Sequence, residues 1–244
     1  MKFIGLILIH VVGASVLALA APKGTAAAPG QTELEKMARR FAPTQIRVDV
    51  SGLSSGDRQA LVKLVQAARL LDDIFLKQMW SGNPDLYGRL QKDLTPLGKA
   101  RLHYFWIIKG PWSDIDEYKA FLAGVPPRKP LGANFYPEKM TKEDFEHWVA
   151  SLAEKVQEQA KGFFTVIRAS SGESPFTSVP YSEEYRDDLT KAASLLHEAA
   201  ALTDNESLKR FLNLRADGFL SNDYYESDMA WMDLDAPLDI TIGP

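Results

Sequence analysis

The chain has 244 residues, a 45% apolar and 25% charged composition, and a net charge of −4. A collagen-like, low-complexity or wholly disordered chain is excluded by that balance, and the length suffices for a real core. No cysteine is present, which removes disulfides, thiolate metal sites and cysteine nucleophiles, and the four histidines leave little imidazole chemistry.

Met1-Lys2 followed by the apolar run Ile4 to Ala20, with Ala18-Leu19-Ala20 at its end, has the layout of an export signal cleaved near Ala20. The run is short for a span of the roughly 30 Å hydrocarbon core, so a cleaved signal is favoured over an uncleaved anchor. The expected location is therefore periplasmic or extracellular, with no membrane contact after cleavage. Residues 21–37, rich in Ala, Pro, Gly and Thr at their start, read as a flexible mature N-terminus. The first thirty residues carry Lys2 and Lys23 and no acid, so losing them takes the charge from −4 to −6. An acidic surface makes nucleic acid an unfavourable partner.

Residues 38–244 read as a mainly α lobe. Ser54 or Ser55 caps a helix to about Trp80 with Leu61, Leu64, Val65, Ala68, Leu71, Phe75 and Met79 on one face. A second helix spans Pro96 to Ile108. Thr141 opens a third, with a buried stripe of Phe145, Trp148, Val149, Leu152 and Val156. Phe163 to Arg168 is β-branched and aromatic, and with Phe176 to Val179 forms a small hairpin near 163–179. Ser182 caps a long helix, Asp204 or Asn205 another, and Ser221 or Asn222 a last one to about Asp233. The segment Asp239 to Gly243 reads as a C-terminal edge strand.

Searches for local chemistry are mostly negative. The pair His197-Glu198 has Ala201 and Leu202 where a helical zinc site needs its second imidazole. No nucleophile elbow, phosphate loop or dinucleotide fingerprint occurs. After Arg215 the chain has no Lys or Arg, while acids continue and Tyr224, Tyr225 and Trp231 are interleaved. On a helix Tyr224, Asp228 and Trp231 share a face, and a carboxylate flanked by aromatics suits an ammonium group through ion pairing and cation–π attraction. The same pattern also fits acids in a first helical turn with the aromatics as core.

Several stretches in order resemble a known family: Gly56-Asp57-Arg58-Gln59-Ala60-Leu61 leading to Ala67-Ala68-Arg69-Leu70-Leu71-Asp72, Lys109-Gly110-Pro111-Trp112, Pro130-Leu131-Gly132-Ala133-Asn134-Phe135-Tyr136-Pro137, Val179-Pro180-Tyr181-Ser182, Ser221 to Asp233, and Thr241-Ile242-Gly243-Pro244. Together they resemble the amino-terminal half of bacterial dipeptidyl peptidase III-like zinc metallopeptidases. The resemblance implies a helical two-lobed fold, dipeptide release from peptides, and a zinc ion held by two histidines and a glutamate of a later segment. That segment is not in this sequence, so the resemblance assigns no catalytic residue and no metal ligand here. It implies instead a cleft-edge strand at the end of the chain, where Thr241 and Gly243 bond a peptide backbone and Asp239 meets its amino group.

Three functions follow as expectations. The first is the substrate-binding portion of an exported zinc dipeptidyl peptidase, inactive without a catalytic lobe that bears the metal. The second is a stand-alone exported helical module binding peptides or amines through the acidic-aromatic C-terminal patch from Ser221 to Asp239. The third is a hydrolase with a metal site assembled from His103, His147 and carboxylates. A lobe without its partner is further expected to expose apolar surface and an open strand edge, and so to self-associate.

Overall fold

The computed structural model describes residues 28–172 and 174–244. The leader expected over residues 1–20 lies outside them. Ten helices and two small antiparallel hairpins make the described residues mainly α with minor β.

The helices start where capping side chains allow it. Ser54 Oγ accepts from Asp57 N and opens α2 (Ser55–Met79). Thr95 Oγ1 accepts from Gly98 N at the head of α4 (Pro96–Ile108). Thr141 and Asp144 form a reciprocal capping box on α5 (Lys142–Ala150), satisfying two otherwise unpaired N–H groups. Asn205 Oδ1 accepts from Leu208 N to open α9 (Glu206–Ser221).

The largest core lies where α2, α8 (Arg186–Leu202) and α9 pack side by side, with α10 (Tyr225–Met232) across α9. On α2 the buried face is Ala60, Leu64, Ala67, Leu71, Ile74 and Gln78. The expected stripe shares only Leu64 and Leu71 with it, and Val65 and Phe75 are exposed. A 25-residue helix with so many apolar positions offers two candidate stripes. Small Ala60 and Ala67 win because they let α8, itself lined by Ala192, Ala193, Ala199 and Ala200, approach closely. A Cβ on Gly56 would run into the Leu202 carbonyl oxygen at the same crossing.

A second core joins α1 (Gln31–Ala38), α3 (Asn83–Lys92) and α4 with Phe121 and Leu122. The stretch 21–37, expected to be flexible, thus contributes a helix from Gln31, because Leu34 finds full burial beside α4. Helix α3 follows α2 directly, and Pro84 sits in its first turn, where a missing N–H leaves no bond unmade. A third core holds Trp148 and Val149 of α5, Ala160 of α6 (Glu154–Ala160) and Ile167. The expected single helix from Thr141 past Val156 is interrupted at Ser151–Ala153, where the Trp148 carbonyl accepts from both N and Oγ of Ser151.

The first hairpin is minimal, β1 (Trp112–Ser113) with β2 (Lys119–Ala120). The second pairs β3 (Thr165–Ala169) with β4 (Phe176–Pro180) as expected. The short α7 (Tyr181–Glu184) stands between it and α8, so Ser182 does not cap the long helix, and its backbone N–H donates to Asn222 Oδ1. Asn222, expected to open the last helix, instead ends α9 in the left-handed conformation.

The expected C-terminal edge strand has no ladder partner among the described residues, and both sheets are elsewhere. What forms is an extended arm. From Leu234 to Gly243 burial alternates strictly, with Leu234, Ala236, Leu238, Ile240 and Ile242 toward the main core and the residues between them exposed. Such a period-2 pattern is that of a strand resting one face on a core. A strand also needs a neighbour's backbone, and no backbone group from Ala236 to Pro244 has a hydrogen-bond partner among the described residues.

Candidate peptide cleft at the C-terminal arm

The arm is anchored at its root. Asp235 O accepts from Asn205 Nδ2 at 2.9 Å and Ser207 Oγ at 3.0 Å. Asn205 N in turn donates to Thr203 Oγ1, which donates to the buried carboxylate of Asp57 at 2.7 Å. The start of α2, the α8–α9 turn and the root of the arm are therefore one hydrogen-bonded corner.

Beyond that corner the arm and two helices enclose an open cleft of about 470 Å³. Phe211 and Arg215 of α9 form its floor, Asp228, Trp231 and Met232 of α10 one side, and residues 240–244 the other. Five consecutive arm residues line it, so the arm presents its backbone edge as well as one face.

Four of the six expected binding residues, Asp228, Trp231, Thr241 and Gly243, come together here. Tyr224 does not line the cleft. It is buried, 4.3 Å between ring centroids from Phe164, and caps α10 from the core side. Burial pushes its hydroxyl pKa up, against a smaller pull downward from Arg215. Asp239 is exposed on the arm and is not part of the cleft wall.

Arg215 is the residue the reading of the sequence overlooked. Its Nη2 donates to Asp228 Oδ1 at 2.6 Å, and its Cζ lies 5.4 Å from the ring centroids of both Phe211 and Tyr224. The chemistry expected for an amine at Asp228 and Tyr224, ion pairing and cation–π attraction together, is supplied by the chain's own guanidinium. One signal was available: Arg215 is the last basic residue before a wholly acidic stretch.

Among the described residues no group of three or more His, Asp or Glu side chains is placed to hold a metal ion. His103 lines a surface groove with Tyr87, Lys99, Leu102 and Trp106, His147 lies on α5, and they do not converge on a shared carboxylate set. No helix among the described residues is long and apolar enough to cross a membrane.

The described residues define a helical lobe with a cleft between its last two helices and an extended arm. That lobe is shared with known proteins: the chain is similar in sequence and fold to part of bacterial dipeptidyl-peptidase III. The structure of dipeptidyl-peptidase III from Corallococcus sp. strain EGB is 52% identical, with a TM-score of 0.85 over 89% of this chain and 40% of that one. The structure of DPP III from Caldithrix abyssi is 43% identical, with a TM-score of 0.81 over 86% of this chain and 39% of that one. Among curated proteins, Nudix hydrolase 3 of Arabidopsis thaliana is 39% identical over 258 residues, 86% of this chain and 33% of the relative. No family model matches the chain. The chain spans about a third of the curated relative's length and about two fifths of the solved structures'.

Proposed function

We propose that this chain forms the peptide-binding part of an exported dipeptidyl-peptidase III-like enzyme. The single observation that carries the proposal is the arm, an extended segment with unpaired backbone groups lining an open cleft in a lobe 52% identical to dipeptidyl-peptidase III. A peptide laid beside such an edge gains main-chain hydrogen bonds whatever its side chains, and the alternate side chains then meet the cleft walls. Thr241 and Gly243 are the arm residues proposed to bond it, with Trp231 and Met232 packing against its side chains. Asp239 is assigned to the amino group on the resemblance alone.

The zinc that the resemblance implies does not fit the described residues, which offer no converging ligand set. In this proposal the hydrolytic groups belong to polypeptide beyond these residues, and the role of this chain is to bind and orient. Export is proposed from Met1-Lys2, the apolar run to Ala20 and the small residues before Ala21.

Titration of the purified chain with short peptides, followed by calorimetry and by Trp231 fluorescence against a Trp231→Phe control, tests the binding role. Saturable binding with a Kd at or below the millimolar range is expected. No heat and no spectral change at millimolar peptide overturns it.

A further inference from the structure

The cleft holds more hydrogen-bond donors than the chain itself uses. A guanidinium carries five N–H groups in a planar fork. For Arg215 the one acceptor among the described residues is Asp228 Oδ1. The Arg215 side chain is only 12% exposed, and its Nε is buried without an acceptor. Trp231, whose indole donates but cannot accept, stands on the same cleft, and outside it, toward the core, the Tyr224 hydroxyl is likewise buried and without a partner. Against this surplus stands one carboxylate, Asp228, itself 61% exposed and reaching the guanidinium through a single oxygen. Donors left unmet on a partly desolvated cation are unfavourable, and the fork matches a carboxylate in bidentate fashion.

Building on the peptide-cleft reading, we infer that Arg215 is a specificity determinant that receives a carboxylate of the bound peptide, from an acidic side chain or from the peptide C-terminus, while Asp228 holds the guanidinium in place until the ligand arrives. The polarity is the reverse of the ammonium pocket expected from Asp228 and its aromatic neighbours. The ring centroids of Phe211 and Tyr224 each lie 5.4 Å from the guanidinium carbon, within cation–π range, and these contacts favour a held fork over a freely turning one.

Three pentapeptides test this on the full chain by calorimetry: pentaalanine amide, pentaalanine with a free C-terminus, and the amide with aspartate at its centre. At least one carboxylate-bearing peptide is expected to bind roughly tenfold more tightly than the plain amide, and which of the two does so identifies the source of the carboxylate. Arg215→Met is expected to bring that ratio toward one. Asp228→Asn, which frees the fork and leaves Arg215 beside Phe211 and Tyr224, is expected to raise it, and this variant decides the matter if Arg215→Met does not fold. Equal affinities for all three peptides, or a ratio unmoved by Asp228→Asn, overturn the inference and leave the peptide cleft standing. If no peptide binds, the peptide reading falls, and glutarate is titrated against the Arg215 Nε–H NMR signal: a saturable shift keeps the carboxylate site, and a silent signal removes it as well.

Discussion

Asn222 accomplishes with one side chain what a helix end usually delegates to several. Its left-handed φ of 65° stops α9, its Nδ2 donates to Phe164 O at 3.1 Å, and its Oδ1 accepts from Ser182 N at 3.4 Å. Asparagine tolerates this conformation, and its amide ties α9 to the hairpin side of the core. Asn222→Ala loses both bonds and is expected to lower stability by about 1–3 kcal/mol in chemical denaturation. Asn222→Gly relieves the strain without restoring the bonds and should fall between. At Gly56 the constraint is steric, and Gly56→Ala is expected to cost about 1–3 kcal/mol because backbone, not a flexible side chain, stands in the way. Acid sensitivity belongs to this scale too. The Arg40 guanidinium beside Asp116 holds its carboxyl down to about 2, and the hydroxyl of Thr203 does most to lower that of buried Asp57. Unfolded, both titrate near 4. The unfolded chain thus binds protons first, so the stabilisation is whole above about pH 4 and is lost as pH falls toward 2. Asp116→Asn should flatten the pH dependence of the thermal midpoint across that window, and an unchanged slope would contradict the assignment.

Among elements, those bounded by side-chain caps were readable from the sequence, because a cap is a local event between residues three apart. Ser54, Thr141 and Asn205 each mark a start within one residue of the observed helix. Helix α1 has no side-chain cap, and its existence depends on a pocket for Leu34 built by α4, some seventy residues away. The same reasoning explains why Arg215 was missed: its carboxylate partner lies on another helix, and no spacing rule joins α9 to α10. The arm was half readable. Its alternation is visible in Leu234, Ala236, Leu238, Ile240 and Ile242, but pairing is a property of a neighbour and cannot be read from one strand's own residues. If the alternating face alone seats the arm, Leu238→Asp with Ile240→Asp should release it, lowering stability by about 1–2 kcal/mol for part-buried side chains. Hydrogen exchange across 236–244 should quicken further while α9 keeps its protection.

At the scale of the molecule, two segments lie outside any ladder among the described residues. The second is Thr44 to Val50, where Ile46 and Val48 are 85% and 77% exposed in a β-branched run outside any strand. Unpaired runs of this composition recruit other chains. Concentration-dependent association is therefore expected in light scattering, and Ile46→Lys with Val48→Lys should suppress it without altering the helical circular dichroism signal. A wild-type chain that stays monomeric at high concentration would show these segments to be harmless.

The corner that binds Asp235 acts as a fixed pivot. Asn205 and Ser207 grip the arm at its root, and the grip continues through Thr203 and Asp57 into the first turn of α2. Displacement farther along, such as a guest wedging between Trp231 and Ile242, is expected to stop at that clamp before it spreads into the three-helix body. A lobe clamped in this way is expected to flex its doorway while its frame stands still.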